Sequence, residues 1–177
     1  HPEHVASLEY RARLLRDAGQ YEAALSDFLR IFDLNPAPNP GLYISASTLM
    51  IQLPLYGPDA AVSLLDNGMA KLGPVTQLQR KAITLETQQN NYLAAIERMH
   101  KLPQALRETP QWKIDLARLH FRNHDRKGAR ILLADAASQL DQLPRNGMRD
   151  TARNELLLMQ RQLEVGAAQE QRASGQL

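Results

Sequence analysis

The chain has 177 residues, 44% of them apolar and 23% charged, the composition of an ordinary globular domain rather than of a fibrous or disordered chain. Its net charge of +2, with basic residues interspersed among acidic ones, argues against a nucleic-acid backbone as partner. The absence of cysteine removes disulfides, thiolate metal sites and thiol nucleophiles together, and no apolar run reaches the roughly 18 to 20 residues of a membrane span.

In chain order, Leu8, Ala12 and Leu15 recur at spacings of four and three, the stripe of an amphipathic helix. Gly19 suits the left-handed conformation that ends such a helix, and Tyr21 opens a second one in which Ala24 and Phe28 share a face. Ala24 is small enough to let the preceding helix come close. Asn35-Pro36 stops the second helix, because proline lacks a donor and restricts the residue before it. The proline-dense link Ala37-Pro38-Asn39-Pro40-Gly41 runs extended. From Leu42 to Leu53 the spacing of Ala46, Leu49, Met50 and Leu53 predicts a helix ended near Pro54, and Pro58 opens another carrying Ala61, Leu65 and Met69 as far as Gly73-Pro74.

Val75 to Gln89 carries Leu78, Ala82 and Leu85, and after the polar turn Gln88-Gln89-Asn90-Asn91 come Tyr92, Ala95 and Met99. Pro103 makes Leu102 to Thr109 a kink, an extra turn or a loop, and Thr109-Pro110 reads as an N-cap followed by a first-turn proline. Trp112, Leu116 and Leu119, then Asn123, Gly128 and Leu132, form a further pair of helices. Beyond Leu143-Pro144 and the Asn146-Gly147 turn, Met148, Ala152, Leu156, Met159 and Leu163 make a last stripe flanked by Arg149, Arg153, Gln160 and Arg161.

The small residues Ala24, Ala61, Ala95 and Gly128 stand 37, 34 and 33 apart. With Leu8, Ala12, Leu15, Gly19, Tyr21, Ala24, Phe28 and Pro36 at signature spacing, the first unit resembles a tetratricopeptide repeat, whose period is about 34. The fourth unit matches through Trp112, Leu116, Leu119, Asn123, Gly128 and Leu132. Departures in the first unit are Leu8 for tryptophan, Arg11 for leucine and Ala12 for glycine. The resemblance implies an all-α fold, a right-handed α-solenoid superhelix of about four helix-turn-helix repeats. The units are 5–36, 42–74, 75–109 and 110–143, with a solvating C-terminal capping helix over 147–165 and a disordered tail over 166–177.

In that family the second, fifth, ninth and twelfth positions of each repeat face a concave groove. The resemblance therefore nominates Glu9, Arg13 and Arg16, then Tyr43, Ala46 and Met50, then Gln79 and Ile83, then Lys113 and His120, as partner-binding residues. Such a groove is cationic at one end and apolar in the middle, suited to a partner peptide or helix with acidic and apolar side chains. In the alternative, Arg13 and Arg16 are solvated ion-pair partners of Glu9 and Asp17. The family's carboxylate clamp needs lysine and asparagine where Glu9 and Arg13 stand, so that activity is not assigned.

Ser45, Ser47, Ser63 and Ser138 lack a nucleophile-elbow context and there is no phosphate-cradling glycine loop, so the chain reads as no enzyme, with no cofactor. His120 and His124 have metal-ligand spacing, as do His1 and His4 for copper at a free amino terminus, against the plainer readings of a turn histidine and a flexible end. The expectation is an interaction scaffold that binds another protein, without nucleic acid or membrane insertion. The alternative is an assembly module of a larger cell-envelope complex acting through its convex face or by self-association. The His1-Pro2 start is read as that of a processed periplasmic or envelope protein, or as the edge of an excised piece.

Overall fold

The computed structural model describes the backbone of residues 2–174 and the side chains of residues 4–166. Among the described residues every regular element is a helix, and the chain divides into two compact bodies, His1–Asn90 and Asn91–Leu177. The division falls in the turn expected at the middle of the third hairpin.

The first body contains α1 (Pro2–Asp17), α2 (Tyr21–Leu34), α3 (Pro40–Gln52), α4 (Pro58–Leu72) and α5 (Thr76–Gln88). Each packs on the next, and α3 also meets α5. The α1–α2 turn closes as the sequence requires. Gly19 sits at φ +76°, its N–H bonding Arg16 O at 3.0 Å while the Gln20 N–H reaches back to Leu15 O at 2.8 Å. Ala12 and Ala24 are fully buried at the crossing, beside the equally buried Phe28. Arg11, which stands where a leucine is usual, holds the otherwise buried Asp27 of α2 through two bonds of 2.7 and 2.6 Å.

Asn39 caps α3, its side chain accepting from Gly41 N at 2.8 Å, and Pro40 and Pro58 occupy first turns. Phe32 stacks on Tyr43 with ring centroids 3.9 Å apart. Gly68 permits the close approach of α4, since a Cβ there would meet the Tyr43 ring and Leu78 at 3.0 Å.

The second body contains α6 (Tyr92–His100), the single turn α7 (Gln104–Arg107), α8 (Pro110–Arg122), α9 (Arg126–Gln142) and α10 (Gly147–Ser174). The break around Pro103 is thus an ended helix followed by one extra turn. Thr109 caps α8 as expected, accepting from Trp112 N at 3.2 Å, and the half-buried Trp112 indole donates to Met99 O at 3.1 Å. Ile114, Ala117, Ala129, Leu133, Ala136 and Leu140 join α8 to α9, and Ala152, Leu156, Met159 and Leu163 bring α10 onto both. Arg149 Nε adds a bond of 2.7 Å to Leu140 O at the end of α9.

The α8–α9 turn repeats the first one with His124 at φ +63° in place of glycine, and Asp125 N bonds His120 O at 2.8 Å. Asp125 then caps α9, accepting from Gly128 N at 2.8 Å and from His120 Nδ1 at 2.7 Å. The Gly128 N–H, and then His120, hold the Asp125 carboxyl below its ordinary range. A Cβ on Gly128 would lie 2.2 Å from Asp125 Oδ2. Glycine to alanine inside a helix ordinarily stabilises, yet Gly128→Ala is expected to lower stability by about 1 kcal/mol through loss of this cap. Asp125→Ala should cost a similar amount, and combining the two in urea titrations should cost little more than either alone.

Two expectations about the C-terminal helix change. It continues from 165 to Ser174, through the stretch expected to be a disordered tail, because Ala167, Ala168, Gln169, Glu170, Gln171, Arg172 and Ala173 are good helix formers. Residues 175–177 lie outside the described residues. Nor is α10 simply a polar cap, because Leu157, Leu158 and Val165 are 45%, 58% and 58% exposed.

Candidate functional site

On α8, Gln111, Asp115, Arg118 and Arg122 recur at four, three and four, a polar stripe separate from the buried Ile114 and Ala117. It runs alongside α10, where Glu155 answers it. Gln111 Nε2 donates to Glu155 Oε2 at 3.0 Å. Arg118 bridges the helices, with one nitrogen 2.8 Å from Asp115 Oδ1 and another 3.1 Å from Glu155 Oε2. Burial pushes the Asp115 carboxyl up from its ordinary range, and Arg118 opposes that shift.

Beside this bridge α8 and α10 border a cleft of about 420 Å³ lined by Arg118, Phe121 and Arg122 from α8 and by Glu155, Leu158, Met159 and Gln162 from α10. Phe121 and Met159 are largely buried and give it an apolar floor, while Leu158 stands at the edge. Arg122 is exposed and has no carboxylate partner among the described residues. A second cleft, about 410 Å³ between α9 and α10, carries Arg130 and Glu164 together over Leu133 and Leu163.

The first cleft is bordered by α8, a leading helix in the expected repeat order, and by α10, the expected capping helix, yet the nominated residues of α8 are not in it. Lys113 pairs with Asp135 of α9 and His120 bonds Asp125 in the α8–α9 turn, so both are directed to the trailing helix. In the first body Tyr43, Ala46 and Met50 are 2%, 0% and 6% exposed and belong to the core. The reason is that α3 is apolar almost all round and packs against α2, α4 and α5, which leaves Ile44, Ser45, Thr48 and Ile51 as its more open side. Gln79 is buried and Ile83 half-buried on α5. Glu9 pairs with Arg13 along α1, and Arg16 lies 2.9 Å from Asp17, the solvated-pair arrangement.

Among the described residues no group of three or more histidine, aspartate or glutamate side chains is placed to hold a metal, and His124 is an exposed turn residue. His1 lies outside the described residues. No helix among the described residues is long and apolar enough to cross a membrane.

No protein-family model matches the chain, and no curated protein matches it either. Solved structures do. A tetratricopeptide repeat protein from Parabacteroides merdae superposes with a TM-score of 0.52 at 18% identity over 96% of this chain. The chain has the tetratricopeptide-type helical-repeat fold. It spans 61% of the length of that neighbour. MamA is similar with a TM-score of 0.55 at 11% identity, over 91% of this chain and 96% of its own. Within residues 91–177, α8 and α10 lie side by side with the cleft between them.

Arg118, Phe121, Arg122, Leu158, Met159 and Gln162 were not legible as a site from the sequence. The signals present were the polar stripe on α8, and Leu157-Leu158 standing outside the buried stripe of α10.

Proposed function

We propose that the protein is a non-enzymatic interaction scaffold that docks a peptide or helix of another protein, one carrying acidic and apolar side chains, on the leading-helix side of its repeats. The observation that supports this reading best is the cleft between α8 and α10, open to solvent, apolar at its floor and cationic at its rim. In residues 1–90, Arg13 and Arg16 of α1 are proposed as a further polar contact surface. Their existing pairs with Glu9 and Asp17 are solvent-exposed and therefore cheap to exchange.

The alternative is a self-associating assembly module. It draws support from Leu157 and Val165, which point away from the core on α10. Photocrosslinking amino acids placed at Gln162 and at Ile131 in the native cell, together with sedimentation of the purified chain, separate the readings. A scaffold gives a heterologous crosslink from position 162, none from the exposed α9 position 131, and a monomer in sedimentation. A concentration-dependent dimer with self-crosslinks from α10 supports the module instead.

A further inference from the structure

The α8–α10 cleft has one cation to spare. Arg118 is held by Asp115 and Glu155 and so forms part of the wall, whereas Arg122 has no ion-pair partner among the described residues. The surroundings favour the same sign, since residues 91–177 contain 14 Lys and Arg against 10 Asp and Glu, and residues 1–90 contain 7 against 9. The cleft also has a direction. Its α10 wall is Glu155, Leu158, Met159 and Gln162, at spacings of three, one and three, and extends over two turns or about 10 Å along the helix. A ridge of side chains at i, i+3, i+4 and i+7 on a third helix is what such a trough accommodates.

We infer that the α8–α10 cleft seats an amphipathic helix of a partner protein, with one of its carboxylates on Arg122 and an apolar side chain three or four residues away against Phe121, Leu158 and Met159. The inference rests on the scaffold reading and makes Arg122 the residue that selects for acid. The exposed guanidinium, without an ion-pair partner among the described residues, favours a carboxylate that docks beside it, because the pair is desolvated only when the partner helix covers it. The carboxylate in the wall, Glu155, is occupied by Arg118 and Gln111, and so does not repel the incoming acid as a free charge would. The α9–α10 cleft has no such preference, since Arg130 and Glu164 line it together.

The test is selection from a displayed library of random peptides of about 14 residues, roughly four helical turns, on the intact chain. Enriched peptides are then titrated against wild type, Arg122→Glu, Arg122→Gln, Leu158→Glu and, as a control on the exposed face of α9, Ile131→Glu. The expected result is enrichment of sequences with Asp or Glu three or four residues from Leu, Ile, Phe or Met. Their affinity should fall about tenfold or more in Arg122→Glu and Leu158→Glu, less in Arg122→Gln, and not in Ile131→Glu. Arg122 and Leu158 are solvent-exposed, so unchanged melting midpoints confirm that these variants fold. Enriched peptides without an acid, peptides bound equally by Arg122→Glu, or peptides that bind only with a free C-terminal carboxylate overturn the inference while leaving the scaffold reading standing. A library that yields no binder to wild type overturns both.

Discussion

Phe28→Ala is expected to destabilise residues 1–90 by about 3–5 kcal/mol, enough to remove a large part of the stability of a domain of this size. Phe28 is completely buried near the middle of α2, four residues after the equally buried Ala24 and flanked in the core by Leu25 and Ile31. Removing its ring forfeits the transfer free energy of the ring atoms and leaves a cavity. The cavity cannot close, because Ala12 and Ala24 already bring α1 and α2 to close contact. Urea titration followed by helical circular dichroism should show a lower midpoint with the slope preserved, and amide exchange should locate the loss in α1 to α3. Phe28→Leu, which keeps most of the volume, should cost markedly less. A loss below about 1 kcal/mol for the alanine variant would mean that α2 is not packed as described.

Ile114→Ala should have the second largest effect, about 2–5 kcal/mol, in residues 91–177. Ile114 is fully buried on α8 and belongs to the same cluster as Leu133 and Leu140 of α9 and Leu156 and Met159 of α10. Because α10 packs on both α8 and α9, the cavity weakens the joint on which the candidate cleft is built. The expected signature is a shared loss of exchange protection in α8, α9 and α10. Ile114→Val, which removes one methylene, should cost only about 0.5–1.5 kcal/mol. Protection lost in α8 alone would show that the three helices do not share a core.

Much of the hairpin architecture was legible because its signals are local. Gly19 lies in the left-handed region at the end of α1, Thr109 caps α8, Pro58 and Pro110 begin helices, and Ala24, Ala61 and Ala95 are fully buried. Each of these depends on a few neighbouring residues and on backbone sterics, which a single sequence carries. The length of α10 was misjudged for a related reason. The small, polar composition of 166–177 suggests disorder, but its alanine, glutamine, glutamate and arginine residues are also good helix formers, and one glycine costs only about 1 kcal/mol inside a helix.

The candidate cleft shares the chemical character expected of a groove but not the nominated residues. Arginine and bulky apolar side chains on leading helices were expected, and the α8–α10 cleft has both, but through Arg122, Phe121 and Leu158 rather than through Lys113, His120, Tyr43 and Met50. On α8, Lys113 and His120 lie about 140–180° around the helix from the stripe of Asp115 and Arg122. Spacing alone leaves open which of the two polar sides meets the trailing helix and which meets the capping helix. Asp135 and Asp125 decide it for the first pair and Glu155 for the second, and all three come from elsewhere in the fold.

By itself the amino-acid sequence determined that this chain forms helices paired into hairpins, where they turn, and which small residues let them touch, since these follow from hydrophobic period, capping and allowed backbone angles. Only the tertiary structure decided which flank of each helix is sealed and which is left for a partner. That choice depends on how many neighbours a helix acquires. An apolar helix such as α3, with three of them, buries the same residue types that α10, with two, leaves facing water.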